Sequence, residues 1–389
     1  MTTIEKPARK PANPRFSPGP TTKFPGWDLS LLKTALIGRS HRSKEAIERM
    51  QYLLRLTREV LQVPDSHLIA IVPGSDTGAV EMAMWNLLGA RPVEVLAWES
   101  FGKMWVTDVL EQLKVEQAEG KVADFGELPD LASVDFSHDV VFTWNGTTSG
   151  ARVPDGEWIP ADREGLTICD ATSAAFAQEL PFDKLDVTTY SWQKVMGGEA
   201  QHGILIISPR AIERLESHTP PWPVPKLFRL TKGGKLMRDL FEGMTINTVS
   251  MLAVEDHIKA LEWAKSIGGL PALIARADAN ARVVQDWVDA RDWVENLVSD
   301  PAIRSNTSVC MRLSEKGVEG LSEEQAKALP KRMLELLAEE QAAYDISAYR
   351  TAPPGWRIWC GGTVEKSNIE ALMPWLDWAY ATARAEITG

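Results

Sequence analysis

The chain has 389 residues, 44% hydrophobic and 24% charged, a formal net charge of −11 and a pI near 5.2, the balance of a globular protein with a sizeable core. Its acidity offers no positive field to nucleic acid or an anionic membrane surface, and no apolar run reaches the length of a bilayer span. Three scattered cysteines (Cys169, Cys310, Cys360) and histidines without HxxH or HxxxH pairing give no disulfide scaffold and no metal site, and fit a reducing cytoplasm.

In chain order, residues 1–15 carry Lys6, Arg9, Lys10 and Arg15 among Pro7, Pro11 and Pro14. No apolar run follows, so an extended or disordered segment is expected rather than a secretory signal. Apolar runs at Leu68–Val72, Val93–Ala97, Val140–Trp144, Leu166–Cys169 and Ile204–Ile207 read as buried strands. None alternates, the pattern of a parallel sheet covered on both faces. Helices are predicted at Ala79–Leu88 and Phe101–Lys114, and a further β-rich run at Asp186–Tyr190. Alternating strands and helices predict an α/β fold with functional residues at the carboxyl ends of strands. From Thr248 to Asp292 the pattern is almost wholly helical. There follow a strand at Thr307–Leu313, an acidic helical stretch at Glu323–Tyr344, a strand at Trp356–Cys360 and a closing helix at Asn368–Ala385. A large domain over 16–260 and a smaller α+β domain over 261–389 are expected.

Two residues stand out for chemistry. Lys194 lies in Ser191-Trp192-Gln193-Lys194-Val195-Met196-Gly197-Gly198, a short loop between strands. A lysine held in a pocket there has a depressed pKa, and its neutral amine can attack a carbonyl carbon; alone, it reads more readily as a solvated surface lysine. Asp170 closes the run Leu166–Cys169 and alone reads as a turn or cap residue. One strand separates the two, so adjacent strands would bring both to the same sheet edge. An acid beside a pyridine nitrogen and a lysine beside an aldehyde are what a pyridoxal phosphate enzyme requires. Pro73-Gly74-Ser75-Asp76-Thr77-Gly78 joins a strand to a helix and could present backbone N–H groups to a phosphate. It reads equally well as a helix capped by Asp76 or Thr77. If it is a phosphate cradle, the Asp76 side chain must point away.

In that setting Phe16-Ser17-Pro18-Gly19-Pro20, Ser40-His41-Arg42-Ser43, Asn145-Gly146-Thr147-Thr148-Ser149-Gly150, Trp192-Gln193-Lys194 and Asn247-Thr248, in this order, resemble the phosphoserine aminotransferase family. That family belongs to the class V, fold-type I pyridoxal phosphate enzymes. The resemblance runs from Phe16 through the C-terminal region. It implies a large domain with a mostly parallel mixed sheet between helices, a smaller α+β domain, pyridoxal 5'-phosphate as cofactor, and a cytoplasmic homodimer with active sites at the subunit interface.

Residue by residue, it implies Lys194 as the cofactor-linking and proton-transferring lysine and Asp170 as partner of the pyridine nitrogen. Thr147 would bond the ring hydroxyl. Phe101 would stack on the ring, where the family usually has Trp and where Trp105 is a nearby alternative. Ser75, Asp76 (through its backbone) and Gln193 would hold the cofactor phosphate, with Asn247 and Thr248 reaching the phosphate in the second subunit. Substrate contacts would come from Ser17, His41, Arg42, Arg350 and Arg357, the last pairing with the α-carboxylate. Tyr349 stands where the family commonly has histidine, a departure that bears on phosphate recognition.

The implied reaction moves an amino group between L-glutamate and 3-phosphohydroxypyruvate for serine biosynthesis, with a possible side activity in pyridoxine biosynthesis. The alternatives are another class V aminotransferase for unphosphorylated acids such as glyoxylate, or a non-catalytic pyridoxal phosphate-binding protein. A dinucleotide-dependent oxidoreductase lacks its G-x-G-x-x-G, and a cysteine desulfurase would have only Cys360, beside Gly361 and Gly362, as a loop-like nucleophile.

Overall fold

A computed structural model describes residues 5–389; the first four residues of the expected N-terminal segment lie outside the described residues. A seven-stranded sheet is formed by β1 (Leu68–Pro73), β2 (Val93–Ala97), β3 (Ala118–Val122), β4 (Asp139–Thr143), β5 (Thr167–Asp170), β6 (Val187–Ser191) and β7 (His202–Ile207). Its order is β1-β7-β6-β5-β4-β2-β3. From β3 through β6 every pairing is parallel, whereas β7 runs antiparallel to both β6 and β1. The mostly parallel mixed sheet is therefore as expected.

The unbroken apolar runs have a direct cause. Ile69 and Ile71 enter one buried cluster while Ala70 and Val72 enter another; Ile204 and Ile206 are likewise divided from Leu205 and Ile207. Both faces are covered, so neither position of each pair can be polar.

The helices are α1 (Lys44–Leu61), α2 (Ser75–Leu87), α3 (Ser100–Thr107), α4 (Pro209–Ser217), α5 (Met251–Ser266), α6 (Gly269–Asp289), the single turn α7 (Glu315–Val318), α8 (Glu323–Glu339) and α9 (Lys366–Thr388). Three boundaries differ from expectation. The helix expected from Ala79 starts at Ser75, so most of the anticipated turn belongs to it. The one expected over Phe101–Lys114 is α-helical only to Thr107 and continues as a π-turn at Asp108–Gln112. The acidic helix ends at Glu339, short of Tyr344. Helix α1, passed over in the sequence, is N-capped by Ser43 and buries Met50, Leu53, Leu54, Leu56, Val60 and Leu61.

A short hairpin, β8 (Thr231–Lys232) with β9 (Lys235–Leu236), precedes the C-terminal half. There β10 (Val294–Asn296), β11 (Ser308–Leu313) and β12 (Trp356–Trp359) form an antiparallel sheet in that order. Trp287 and Trp375 pack into its core, 5% and 0% exposed. The N-terminal segment crosses both halves. Lys6 pairs with Glu340, the Trp375 indole donates to Arg9 O, Trp359 N donates to Phe16 O, and Thr21 N donates to Gln193 O. Among the described residues no helix is long and apolar enough to cross a membrane.

Candidate active site

The turn after β6 is held tightly. Gly197 adopts φ +62° and its N–H bonds Lys194 O at 2.9 Å; a Cβ there would stand 2.2 Å from Thr22 O. Only glycine fits. Beneath the turn the fully buried Trp192 stacks on His257 with ring centroids 4.8 Å apart. Lys194 is thereby turned inward, 9% exposed, with Nζ donating to Pro18 O at 2.8 Å. A Cβ on Gly19 would lie 2.7 Å from Nζ, so the Ser17-Pro18-Gly19 strap approaches the amine only because residue 19 is glycine. Burial, helped by the nearby Arg357 charge and opposed by Asp170, Glu99 and Asp76, lowers the Lys194 pKa to about 8.

Asp170 ends β5 and pairs in register with Thr189 of β6, the strand that delivers Lys194. The two groups therefore reach the same carboxyl edge from adjacent strands, as the spacing suggests. Asp170 is 3% exposed; Thr172 N donates to Oδ1 at 3.0 Å and the Trp105 indole N–H to Oδ2 at 3.2 Å. Burial raises its pKa, with these donors pulling the other way. Trp105, the alternative stacking residue, is thus engaged with Asp170. The Phe101 ring centroid lies 5.9 Å from Lys194 Nζ.

At the start of α2, Gly74 (φ +83°) and Ser75 (φ +57°) turn the chain, and no side chain caps the helix. Capping by Asp76 or Thr77 is therefore not observed. A Cβ on Gly78 would stand 2.1 Å from Pro73 O, so the turn closes only around glycine. Asp76 points away from the turn, as a phosphate cradle demands, and its buried carboxyl faces Asp170.

Next to this pair, Glu99 N-caps α3 by accepting from Gly102 N at 2.7 Å, accepts from the Thr148 hydroxyl at 2.8 Å, and is pushed by burial to a pKa of about 7. Sequence reasoning missed Glu99 and the Trp105 contact; an acidic residue directly before a helix start was the available signal for the first.

Thr147 is buried, and its carbonyl accepts from Ser308 Oγ (2.6 Å) and Arg357 Nη1 (3.3 Å). Arg357, on β12 and 9% exposed, also donates to Ser347 O at 3.1 Å, and burial lowers its pKa. Its guanidinium and that of the exposed Arg350 each lie 5.7 Å from the Tyr349 ring, which packs on Phe101 at 5.6 Å. Ser17 Oγ accepts from Gly19 N at 3.2 Å.

Four expected residues stay apart from this cluster. His41 and the exposed Arg42 precede α1, and Asn247 and the exposed Thr248 precede α5; among the described residues no hydrogen bond or ion pair joins them to Lys194, Asp170 or Arg357. Cys360 is fully buried and its thiol pKa is raised, the opposite of a mobile loop nucleophile.

The residues fit pyridoxal phosphate on their own chemistry. A buried amine of lowered pKa lies near an acid already supplied with N–H donors. An uncapped helix start stands close by, and Gln193 Oε1 and the Thr143 and Thr189 hydroxyls are buried without partners. Fold and site define a fold-type I, pyridoxal phosphate-dependent transaminase.

No family model matches the chain. It is 54% identical over 375 residues to the phosphoserine aminotransferase of Methanosarcina mazei, covering 96% of this chain and 99% of that protein. Among solved structures it resembles the phosphoserine aminotransferase of Cytophaga hutchinsonii (TM-score 0.80, 19% identity, 94% and 99% of the two chains). It also resembles the alanine–glyoxylate aminotransferase of Nostoc (TM-score 0.76, 19% identity, 96% and 97%). The chain belongs to the phosphoserine aminotransferase family.

Proposed function

We propose that the chain transfers the amino group of L-glutamate to 3-phosphohydroxypyruvate, giving O-phospho-L-serine and 2-oxoglutarate. The observation that carries this reading is the Lys194–Asp170 edge in a chain 54% identical, almost end to end, to a phosphoserine aminotransferase. Pyridoxal phosphate, when bound, supplies an electron sink for charge developing at the substrate α-carbon. Lys194 would hold the cofactor and, with its amine freed and neutral, would take the substrate α-proton on Nζ and pass it to the cofactor C4′, the transfer running the other way in the second half. Asp170 keeps the ring nitrogen protonated, Phe101 covers one ring face and Thr147 orients the ring hydroxyl. The N–H groups of Ser75 and Asp76, with Gln193, hold the phosphate against the start of α2.

On the substrate side, Arg357 forks onto the α-carboxylate, the Ser17 strap closes over the amine, and Arg350, His41 and Arg42 supply charge for the substrate phosphate. A homodimer accounts for the four residues that stand apart: Asn247 and Thr248 serve the cofactor phosphate, and His41 and Arg42 the substrate, in a second copy. Three free, buried cysteines support a cytoplasmic location.

The test is a coupled assay with glutamate as donor and phosphohydroxypyruvate, glyoxylate or pyruvate as acceptor. A kcat/KM at least about a hundredfold higher with the phosphorylated acid is expected, since a buried charge-assisted contact is worth about 2–3 kcal/mol. A preference for glyoxylate would overturn the assignment.

A further inference from the structure

Asp76 is a carboxyl group that the proposed chemistry does not use. Its backbone belongs to the first turn of α2, where phosphate is expected, but its side chain dives under that turn. It is 6% exposed and faces the Asp170 carboxyl within hydrogen-bonding reach. Two carboxylates in contact within a buried site cannot both stay ionised, so the pair shares a proton.

The donors around the pair decide which oxygen holds it. Asp170 receives one N–H on each oxygen, from Thr172 and from Trp105. Asp76 Oδ1 is buried without any partner. A carboxylate served by two N–H groups keeps its charge, whereas one with only the Thr189 hydroxyl beside it is the better place for a proton. The other titratable groups facing the pair are Lys194, Glu99 and Cys169. Burial and Asp170 both raise the Asp76 pKa, with the nearby Thr189 hydroxyl and Lys194 opposing.

We propose that Asp76 is a positioning residue that stays protonated and donates its O–H to Asp170. The acid beneath the cofactor ring then carries a single negative charge on a carboxylate fixed by three donors. Resting on the function proposed above, this deepens its account of how the ring nitrogen is held. One charge suits one pyridinium; a second carboxylate ionised at the same place would also sit under the turn that must receive a phosphate.

The test does not need turnover. Infrared spectra of the cofactor-free protein at pH 7, compared between wild type and Asp76→Asn, are expected to lose one C=O stretching band of a neutral buried carboxylic acid. Glu99 also sits close to neutrality, so its band is assigned separately with Glu99→Gln. In parallel, cofactor dissociation constants are measured for Asp76→Asn and Asp76→Ala. Asparagine keeps an N–H donor and should bind within about twofold of wild type, whereas alanine should bind about tenfold more weakly, the loss of one hydrogen bond to a charged group. An unchanged acid band in Asp76→Asn, or equal weakening by both variants, would overturn the proposal. Neither outcome touches the substrate assignment, which stands or falls on the acceptor assay.

Discussion

Lys194 shows at one residue how function sets itself against stability. Its folded pKa of about 8 lies below the ordinary 10.5 because burial disfavours the ammonium. Between those values the unfolded chain holds a proton that the folded one lacks, so stability rises with pH across that window and the penalty is complete below pH 8. Lys194→Met should therefore stabilise the cofactor-free protein at pH 7, by up to about 3 kcal/mol, while abolishing activity. The advantage should vanish above pH 10.5. Urea unfolding at pH 7 and pH 11 measures both, and a less stable variant at pH 7 would refute the burial argument. The sequence made Lys194 and Asp170 visible because Asp170 closes a recognisable strand and Lys194 lies in the short turn after the next one. It could not show Trp105 turned onto Asp170, or Glu99 and Asp76 beside it. Those contacts depend on where side chains from α2, α3 and the α3 cap meet the end of β5, which no local spacing encodes.

At the scale of elements, the carboxyl edge of the sheet carries the site and the amino edge carries much of the strength. Asp186, just before β6, is 1% exposed and accepts from Arg163, Arg210, Thr167 N and Ser208 Oγ. It ties β5, β6 and α4 together. Asp186→Ala strands two guanidinium groups, one of them buried, and should cost about 3 kcal/mol while leaving kcat at permissive temperature unchanged. Thermal unfolding alongside steady-state kinetics checks both halves, and a large kcat loss in a folded variant would contradict this division.

Most strands with both faces buried announced themselves as apolar runs, while β6, with Thr188 and Thr189 buried, showed only as a β-rich run. The edge strand β3 did not, because Glu119, Gly120 and Val122 are exposed and only one neighbour pairs with it. Helix α1 was harder to see because charged residues are interleaved with its buried stripe, although Met50, Leu53, Leu54, Thr57, Val60 and Leu61 do keep helical spacing.

Over the whole molecule, the pocket is assembled from segments far apart in the chain: the strap at residues 17–19, the turns after β1, β4 and β5, the Lys194 turn, and the run from Ser347 to Arg357. The strap holds Lys194 through Pro18 O, and Ser100 Oγ meets Thr351 Oγ1 at 2.6 Å, fastening α3 to the C-terminal run. An ordered set of short motifs was readable because each segment must bring its own glycine or polar group to one place. The packing of Tyr349 against Phe101 was not, since it joins residues some 250 positions apart. All of it serves one amine. Borohydride reduction of the purified, cofactor-loaded protein, followed by peptide mass mapping, reads that amine directly. The pyridoxyl group should be found on Lys194 alone; its attachment to any other lysine, or the absence of stable attachment, would contradict the account.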